Sequence, residues 1–490
     1  MESSRSANTE SAPDRTGNRQ GLYHEAPLKV VLISPYELGR QPFGLAQPAA
    51  WLRHAGFDVH CLDLSQHTLD PEVLAGASIV AIHLAMHTAT RIAVEALPRI
   101  KHSAPDAHLC VYGLYAPTNR DYFQRLGVQS VLGGEFEPAL LNIAEAVRAG
   151  DPIVAQTEHT PGALPKVKFV LPDRTDLPPL SSYSHLLMPD GSERTVGFAE
   201  ATRGCKHLCR HCPIVPVYEG RFRAIPADLV LADIDAQVSN GAEHISFGDP
   251  DFLNGPTHAL RIVRALHKSH PTVTYDAIIK VEHLLRHQDL LPELAATGCL
   301  FITSAVEAVD DDILDKLLKN HRREDFDAAA RLLDSAGIAM APTFVAFTPW
   351  TTLEGYATLL EKIAALGLVD SVPPVQLSIR LLVPSGSHLL HIPGFEETLE
   401  PFDEAMFGYP WRHADPRVDA LHSEIRAIAE DGEMTGKPRH AIFRAAHAAT
   451  YAALERTAPA LGTLRSNPIP HHSEPWYCCA EPTEQQLAAF

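Results

Sequence analysis

The chain has 490 residues, 45% of them hydrophobic and 21% charged, with a formal net charge of −19 and eight cysteines. That length provides for two or three domains, and the acidic balance argues against a general affinity for nucleic acid, which needs a basic surface to meet phosphates. No apolar run approaches a membrane span and nothing marks the chain as secreted, so a cytoplasmic protein with no membrane partner is expected.

Residues 1–27 are polar and mixed in charge, without the apolar core of a secretory signal, and read as a disordered leader. Apolar strands and amphipathic helices then alternate over 28–150. Strands are expected at Lys29–Ile33, Asp58–Leu62, Ser78–Leu84, His108–Tyr112 and Ser130–Leu132, with a helix from Leu45 to Ala55 closed by Gly56. This pattern gives a doubly wound, Rossmann-like α/β domain with a parallel sheet. A ligand of such a sheet sits beyond the strands' carboxyl ends, here 34–39, 85–88 and 113–117. Residues 151–194, rich in proline and polar residues, read as a linker.

After a short apolar run at Val196–Ala199 comes Ala201-Thr-Arg-Gly-Cys205-Lys-His-Leu-Cys209-Arg-His-Cys212-Pro. Three thiolates from one short loop suit a [4Fe–4S] cube, each binding one iron and leaving the fourth open to a substrate. A closed zinc site wants four ligands, usually as two pairs, and no second pair follows at that distance. Three thiols so close cannot all pair as disulfides. The order of strand, Thr-Arg-Gly and Cys-x3-Cys-x2-Cys resembles the radical S-adenosylmethionine (SAM) superfamily. The resemblance implies that the open iron chelates SAM and that the cluster, reduced by a flavodoxin- or ferredoxin-like electron donor, cleaves it.

A doubly wound domain directly before this motif resembles the cobalamin-binding domain of the B12-dependent radical SAM class. Pro42-Phe-Gly-Leu-Ala, Leu52-Arg-His-Ala-Gly56 and Leu132-Gly-Gly-Glu135 carry the likeness. Ser34-Pro-Tyr36-Glu-Leu-Gly39 holds no histidine for cobalt, and the expected paired glycines become Gly113-Leu-Tyr115-Ala-Pro117. Two readings stay open: the domain binds cobalamin, or it keeps the fold and only covers the active site.

Residues 195–385 alternate again, with helices at Ala227–Ser239, His258–His267, Leu290–Ala296, Glu324–Ala336 and Leu353–Ala365. Strands at His244–Phe247, Thr272–Ile279, Leu300–Ala305, Ala339–Ala346 and Val375–Leu381 complete, with the one before the cysteines, six βα units. Six units make a partial (β/α)6 TIM barrel, whose function gathers at the carboxyl ends of its strands. There Phe247-Gly248-Asp249 falls at the superfamily's Gly-Gly-Glu-like turn, implying that Gly248 and Asp249 bind the SAM amino group, and Asp251-Phe252 resembles the Asp-x-Phe form of cobalamin-type members. Ser304-Ala-Val-Glu307 resembles the ribose motif, implying ribose contacts from Ser304 and Glu307. Asp312 to Lys319 looks like an altered Leu-x-Lys-Gly run. His211 stands where an aromatic residue packs on the adenine. Lys280 and Arg380 are candidates for the SAM carboxylate or the substrate, and Arg221 and Arg223 for a substrate carboxylate.

Residues 386–490 read as a helical extension, with Val418, Leu421, Ile425 and Ile428 at helical spacing and a second helix at Ala441–Leu454. The chain ends beyond Trp476-Tyr-Cys478-Cys479-Ala-Glu-Pro482, which resembles the CUAEP/CCAEP-tail radical SAM proteins. In that family the second position is selenocysteine in some members, which implies a nucleophilic or soft-ligand role for Cys479. Vicinal thiolates select soft partners. The expected function is therefore a SAM-cleaving enzyme that modifies a small thiophilic substrate, such as arsenite, held near Cys478 and Cys479. A cobalamin-dependent C-methylase and a non-catalytic iron–sulfur or thiol sensor stand as alternatives.

Overall fold

The computed structural model describes residues 27–153, 167–462 and 468–474. Five parallel strands, β1 (Lys29–Ser34), β2 (Asp58–Asp63), β3 (Ile79–His83), β4 (His108–Tyr112) and β5 (Ser130–Leu132), form the first sheet in the order β2-β1-β3-β4-β5. They read as unbroken apolar runs because both faces are buried. Val31, Ile33, Val80 and Ile82 face the helix His87–Ser103, while Val30, Leu32, Ile79 and Ala81 face Phe43–His54 and Glu137–Ala149. The chain reverses direction across the sheet between β1 and β3, and the crevice at that switch point is where such folds bind ligands.

The described part of the expected linker is a strap. Arg174 donates to both Asp233 oxygens (2.8 and 2.9 Å), to Gln41 Oε1 (2.8 Å) and to the Phe198 carbonyl (2.9 Å), so one guanidinium ties the first domain to the second. Tyr183 adds a hydroxyl bond to Asp63 (2.8 Å).

In the second domain β6 (His185–Leu187) runs antiparallel to β7 (Glu193–Ala199). A hairpin of β8 (Thr202–Gly204) and β9 (Phe222–Ala224) brackets the cysteine loop. The parallel strands continue with β10 (His244–Phe247), β11 (Thr274–Ile278), β12 (Cys299–Glu307) and β13 (Ala339–Phe344), their helices on the outside. The tail returns as β14 (His471–His472), antiparallel to β6, giving the order β13-β12-β11-β10-β7-β6-β14. The sixth barrel strand expected at Val375–Leu381 is instead a 3-10 turn, Pro374–Leu377, followed by a single parallel bridge between Phe347 and Arg380. Pro373 and Pro374 have no N–H to give a ladder. The Phe344 N–H that would meet such a strand is taken by the Gln376 side chain (2.9 Å).

The C-terminal region is helical only in part. Residues 386–411 are irregular and pack Trp411, Phe395 and Leu389 on the carboxyl side of the barrel, with Trp411 Nε1 donating to the Leu381 carbonyl (2.8 Å). The helices Pro416–Met434 and Arg439–Ala453 then pack together, close enough that a Cβ on Gly432 would lie 2.5 Å from Ile442. Among the described residues no helix is long and apolar enough to cross a membrane.

Candidate active site

A cavity of about 400 Å³ lies between the carboxyl ends of the barrel strands and those of the first sheet. Cys205, Cys209 and Cys212 all line it. Their loop is turned sharply at Gly204, whose φ of +76° and close neighbours (a Cβ would stand 2.5 Å from the Arg221 carbonyl) require glycine. Burial pushes the Cys205 thiol up to about 11, so it stays neutral until a metal displaces its proton. The ammonium of Lys280 sits 3.7 Å from Cys209 Sγ, a cation beside sulfur that suits an anionic cluster. Three thiols on one cavity wall, with a buried cation against one of them, fit a [4Fe–4S] group. Behind the loop, Asp251 is buried against His283 (2.8 Å) and His207 (3.3 Å) and caps the turn at Leu253, which braces the segment that carries the ligands.

The expected SAM contacts divide. Gly248 lines the cavity, and it must be glycine because a Cβ would fall 2.1 Å from the Phe198 ring. Asp249 does not line it. Its carboxylate is fully buried and accepts from the Ala201 N–H (2.9 Å) and Thr202 Oγ1 (2.5 Å), anchoring the start of the cysteine loop. Burial pushes Asp249 up to about 7 despite those bonds. Asp249, expected on the SAM amino group, here holds the start of the cysteine loop.

Ser304 likewise faces away. On β12 the odd-numbered Thr303 and Ala305 line the cavity while Ile302 and Val306 pack under the helices, and Ser304 shares their side. Its Oγ is buried with no hydrogen-bond partner among the described residues. Glu307 does reach the cavity, from a residue with φ of +70° at a break in the β12–β13 register. Its carboxylate takes His211 Nε2 (3.1 Å) and Lys319 Nζ (3.3 Å). Burial alone would raise its pKa, but Lys319 and His211 outweigh burial and hold it at about 2. His211 is thus engaged with Glu307 through its ring edge. Lys319, fully buried, had no assigned role in the sequence, and its placement in the Leu-x-Lys-Gly-like run was the available signal.

Of the remaining candidates, Arg380 is committed to Asp419 (2.8 Å), the Trp411 carbonyl (2.6 Å) and the Trp411 ring, outside the cavity. Arg223 lies 3.4 Å from Glu135. Arg203, whose role the sequence did not reveal, lines the cavity and joins Glu137 (2.6 Å), Glu135 (3.2 Å) and Glu200 (3.2 Å), closing the two domains over the site. Cys478 and Cys479 lie outside the described residues.

The first domain contributes Leu38, Gly44, His83, Gly113, Leu114, Tyr115 and Gly134 to the same cavity. Gly113 has a φ of +111° and a Cβ there would fall 2.8 Å from the His83 ring, so the packing of the first domain itself requires glycine at the end of β4. Part of the crevice is taken by His83, which bonds Glu37 (2.6 Å) and stacks on Tyr112, itself in contact with Phe136.

Residues 200–351 match the family described as the Radical SAM superfamily. A [4Fe–4S] cluster and SAM are the cofactors of that domain, which is an enzyme domain. The chain is 24% identical over 202 residues to tRNA-2-methylthio-N(6)-dimethylallyladenosine synthase of Fusobacterium nucleatum subsp. nucleatum, an alignment that takes in 37% of this chain and 43% of that one. It thus spans less than half the length of this curated relative. Among solved structures it is similar to the cobalamin-dependent SAM radical enzyme OxsB with aqua-cobalamin and SAM bound (TM-score 0.66, 14% identity, 83% of this chain and 67% of that one). It is also similar to the radical SAM methyltransferase TsrM from Kitasatospora setae with cobalamin and a [4Fe–4S] cluster bound (TM-score 0.54, 17% identity, 69% and 70%). These likenesses cover both domains and establish the fold.

Proposed function

We propose that this chain reductively cleaves SAM and transfers a SAM-derived fragment to a small thiophilic acceptor, arsenite being the test case, held by Cys478 and Cys479. The observation that carries this reading is the path of the tail. Residues 471–472 are woven into the barrel sheet as β14, and Glu474 bonds Ser184 Oγ through its N–H (3.1 Å) and meets the Tyr36 hydroxyl, where the two domains join. Three residues separate Glu474 from Cys478, four positions on, a span of at most about 14 Å.

The cluster held by Cys205, Cys209 and Cys212 would supply the electron that breaks a carbon–sulfur bond of SAM. The chain's own residues do the positioning. Gly248 leaves its backbone open to the SAM amino group, and Glu307, kept anionic by Lys319 and His211, accepts from ribose hydroxyls. Arg203 and its three carboxylates hold the first domain over the cavity and keep water out. The net charge of −19 gives no support for carrying the tRNA substrate of the Fusobacterium relative over to this chain.

The test is an anaerobic assay of reduced, cluster-loaded protein with SAM, with and without arsenite, followed by mass spectrometry of every SAM-derived product. Arsenite should yield a new organoarsenical, and Cys478→Ser and Cys479→Ser should abolish it while SAM cleavage continues. Full turnover and unaltered arsenite binding in both variants would sink the proposal. Absence of any SAM cleavage would favour an iron–sulfur or thiol sensor.

A second reading, a cobalamin-dependent C-methylase, draws on the similarity to OxsB over 83% of the chain and on the share of the cavity lining that the first domain supplies. Under it, anaerobic reconstitution would load cobalamin stoichiometrically, visible by its absorption. Exclusion of added cobalamin would leave the first domain as a cover.

A further inference from the structure

Below the cavity, inside the barrel, three side chains from distant parts of the sequence meet. His244 opens β10, Asp276 lies in the middle of β11, and His472 arrives on β14 from the tail. Both imidazole Nε2 atoms converge on the same carboxylate oxygen, His244 at 3.0 Å and His472 at 3.1 Å from Asp276 Oδ1. The donor atoms of all three lie within 4.8 Å of one another. His244 and Asp276 are fully enclosed and the His472 side chain is 17% exposed.

The rings are held rather than merely near. Phe301 lies parallel to His244 (interplanar 7°, 6.1 Å) and edge-on to His472 (5.7 Å). Thr274 Oγ1 engages His244 Nδ1 (2.8 Å) and accepts from Arg194 (2.8 Å), fixing the back of that ring. Ser246 Oγ donates to the other Asp276 oxygen (3.3 Å). Metal-binding histidines show this arrangement, the far ring nitrogen held by a hydroxyl, carboxylate or carbonyl.

Charge supplies the reason for a ligand. Among the described residues the ion pairs of Asp276 are those with the two histidines, and no lysine or arginine bonds it. A buried carboxylate with no fixed cation beside it is costly unless a cation joins it. Asp276 and His472 also line a second cavity with Thr303, Thr343, Gln376 and Arg439, which leaves room for a water or another exogenous group as a further ligand.

We infer that His244, Asp276 and His472 bind a divalent transition-metal ion of the zinc class. Two imidazoles and one carboxylate are the protein set of open zinc sites and of related transition-metal sites. Because His472 belongs to the tail, the ion fastens the chain six residues ahead of Cys478. The site is independent of the cysteine cluster and of the proposed reaction.

The test uses the full-length, cluster-loaded protein in a Cys478→Ser/Cys479→Ser background, so that tail thiolates cannot hold zinc. After incubation with zinc chloride and passage over a chelating resin, elemental analysis should find about one zinc per chain. Cobalt(II) in its place should give visible d–d bands without the intense sulfur-to-metal charge transfer of a thiolate site. His472→Ala and Asp276→Asn should each lose the metal, and Thr274→Val should weaken zinc binding about tenfold. Folded protein that retains no zinc, or zinc retained by both ligand variants, would overturn the inference. His472→Ala changes a partly exposed tail residue, so it stays informative even if Asp276→Asn does not fold.

Discussion

The barrel interior buries a carboxylate at two levels, and the chain balances them differently. At the strands' carboxyl ends Glu307 faces Lys319, a fixed cation, with His211 as second partner. Deeper down, Asp276 faces two imidazoles and a serine hydroxyl, none of them a fixed cation. Glu307 also sits at a positive φ, where a non-glycine residue is held only by surroundings that over-determine it, whereas Asp276 lies within β11 beside a register shift against β12 and has no positive φ. The difference teaches that the upper carboxylate is completed and kept anionic by the protein itself. The lower one is completed by whatever cation the site takes up.

Breaking the fixed pair should produce the largest effect. Lys319→Met leaves Glu307 buried without its cation and should cost about 3–5 kcal/mol in urea unfolding. At the lower level, His472→Ala removes one hydrogen bond to a charged group and leaves His244 and Ser246 in place, so about 1.5–3 kcal/mol is expected. If the two losses are equal, or their order reversed, the contrast between the two levels fails.

Acid should separate the levels next. Glu307 is held at about 2 against an ordinary 4.5, so its contribution is complete above pH 4.5 and is lost as the pH falls through 2. The stability gap between wild type and Glu307→Gln, measured by denaturant unfolding, should shrink across that window by about 3 kcal/mol at most. Asp249 has the opposite sign. Raised to about 7 from 3.8, it contributes fully below pH 3.8 and loses that contribution as the pH rises through 7, a decline that Asp249→Asn should flatten.

How much of this was legible in the sequence depends on whether the cause was local. The first five strands and most barrel helices follow from apolar runs and helical spacing, and Ala227–Ser239, His244–Phe247 and Leu353–Ala365 fall as expected. The expected sixth strand does not form, although its valine and leucines have strand character, because Pro373 and Pro374 withhold donors. The short β6 and β14 could not be read at all, since two polar histidines at 471–472 become strand only by pairing with residues nearly three hundred positions away. The cysteine loop was legible from spacing alone. Asp249 was found by its register, but its direction is set by the Ala201 N–H and Thr202 hydroxyl, which no pattern displays.

The smallest predicted effect tests which face of β12 meets the cavity. Alternation along a strand separates Thr303 from Ser304 without saying which turns inward, and a resemblance to the ribose motif favoured Ser304. The structure puts Thr303 on the cavity and leaves the Ser304 hydroxyl buried without a partner among the described residues. A buried hydroxyl that makes no bond has already lost its water and gains nothing in return. Ser304→Ala should therefore shift stability by no more than about 0.5 kcal/mol, in the stabilising direction if at all, and leave the KM for SAM unchanged. Thr303→Val, nearly the same in shape, should instead raise that KM with little change in stability. A raised KM in Ser304→Ala and an unaltered one in Thr303→Val would mean that β12 presents its other face.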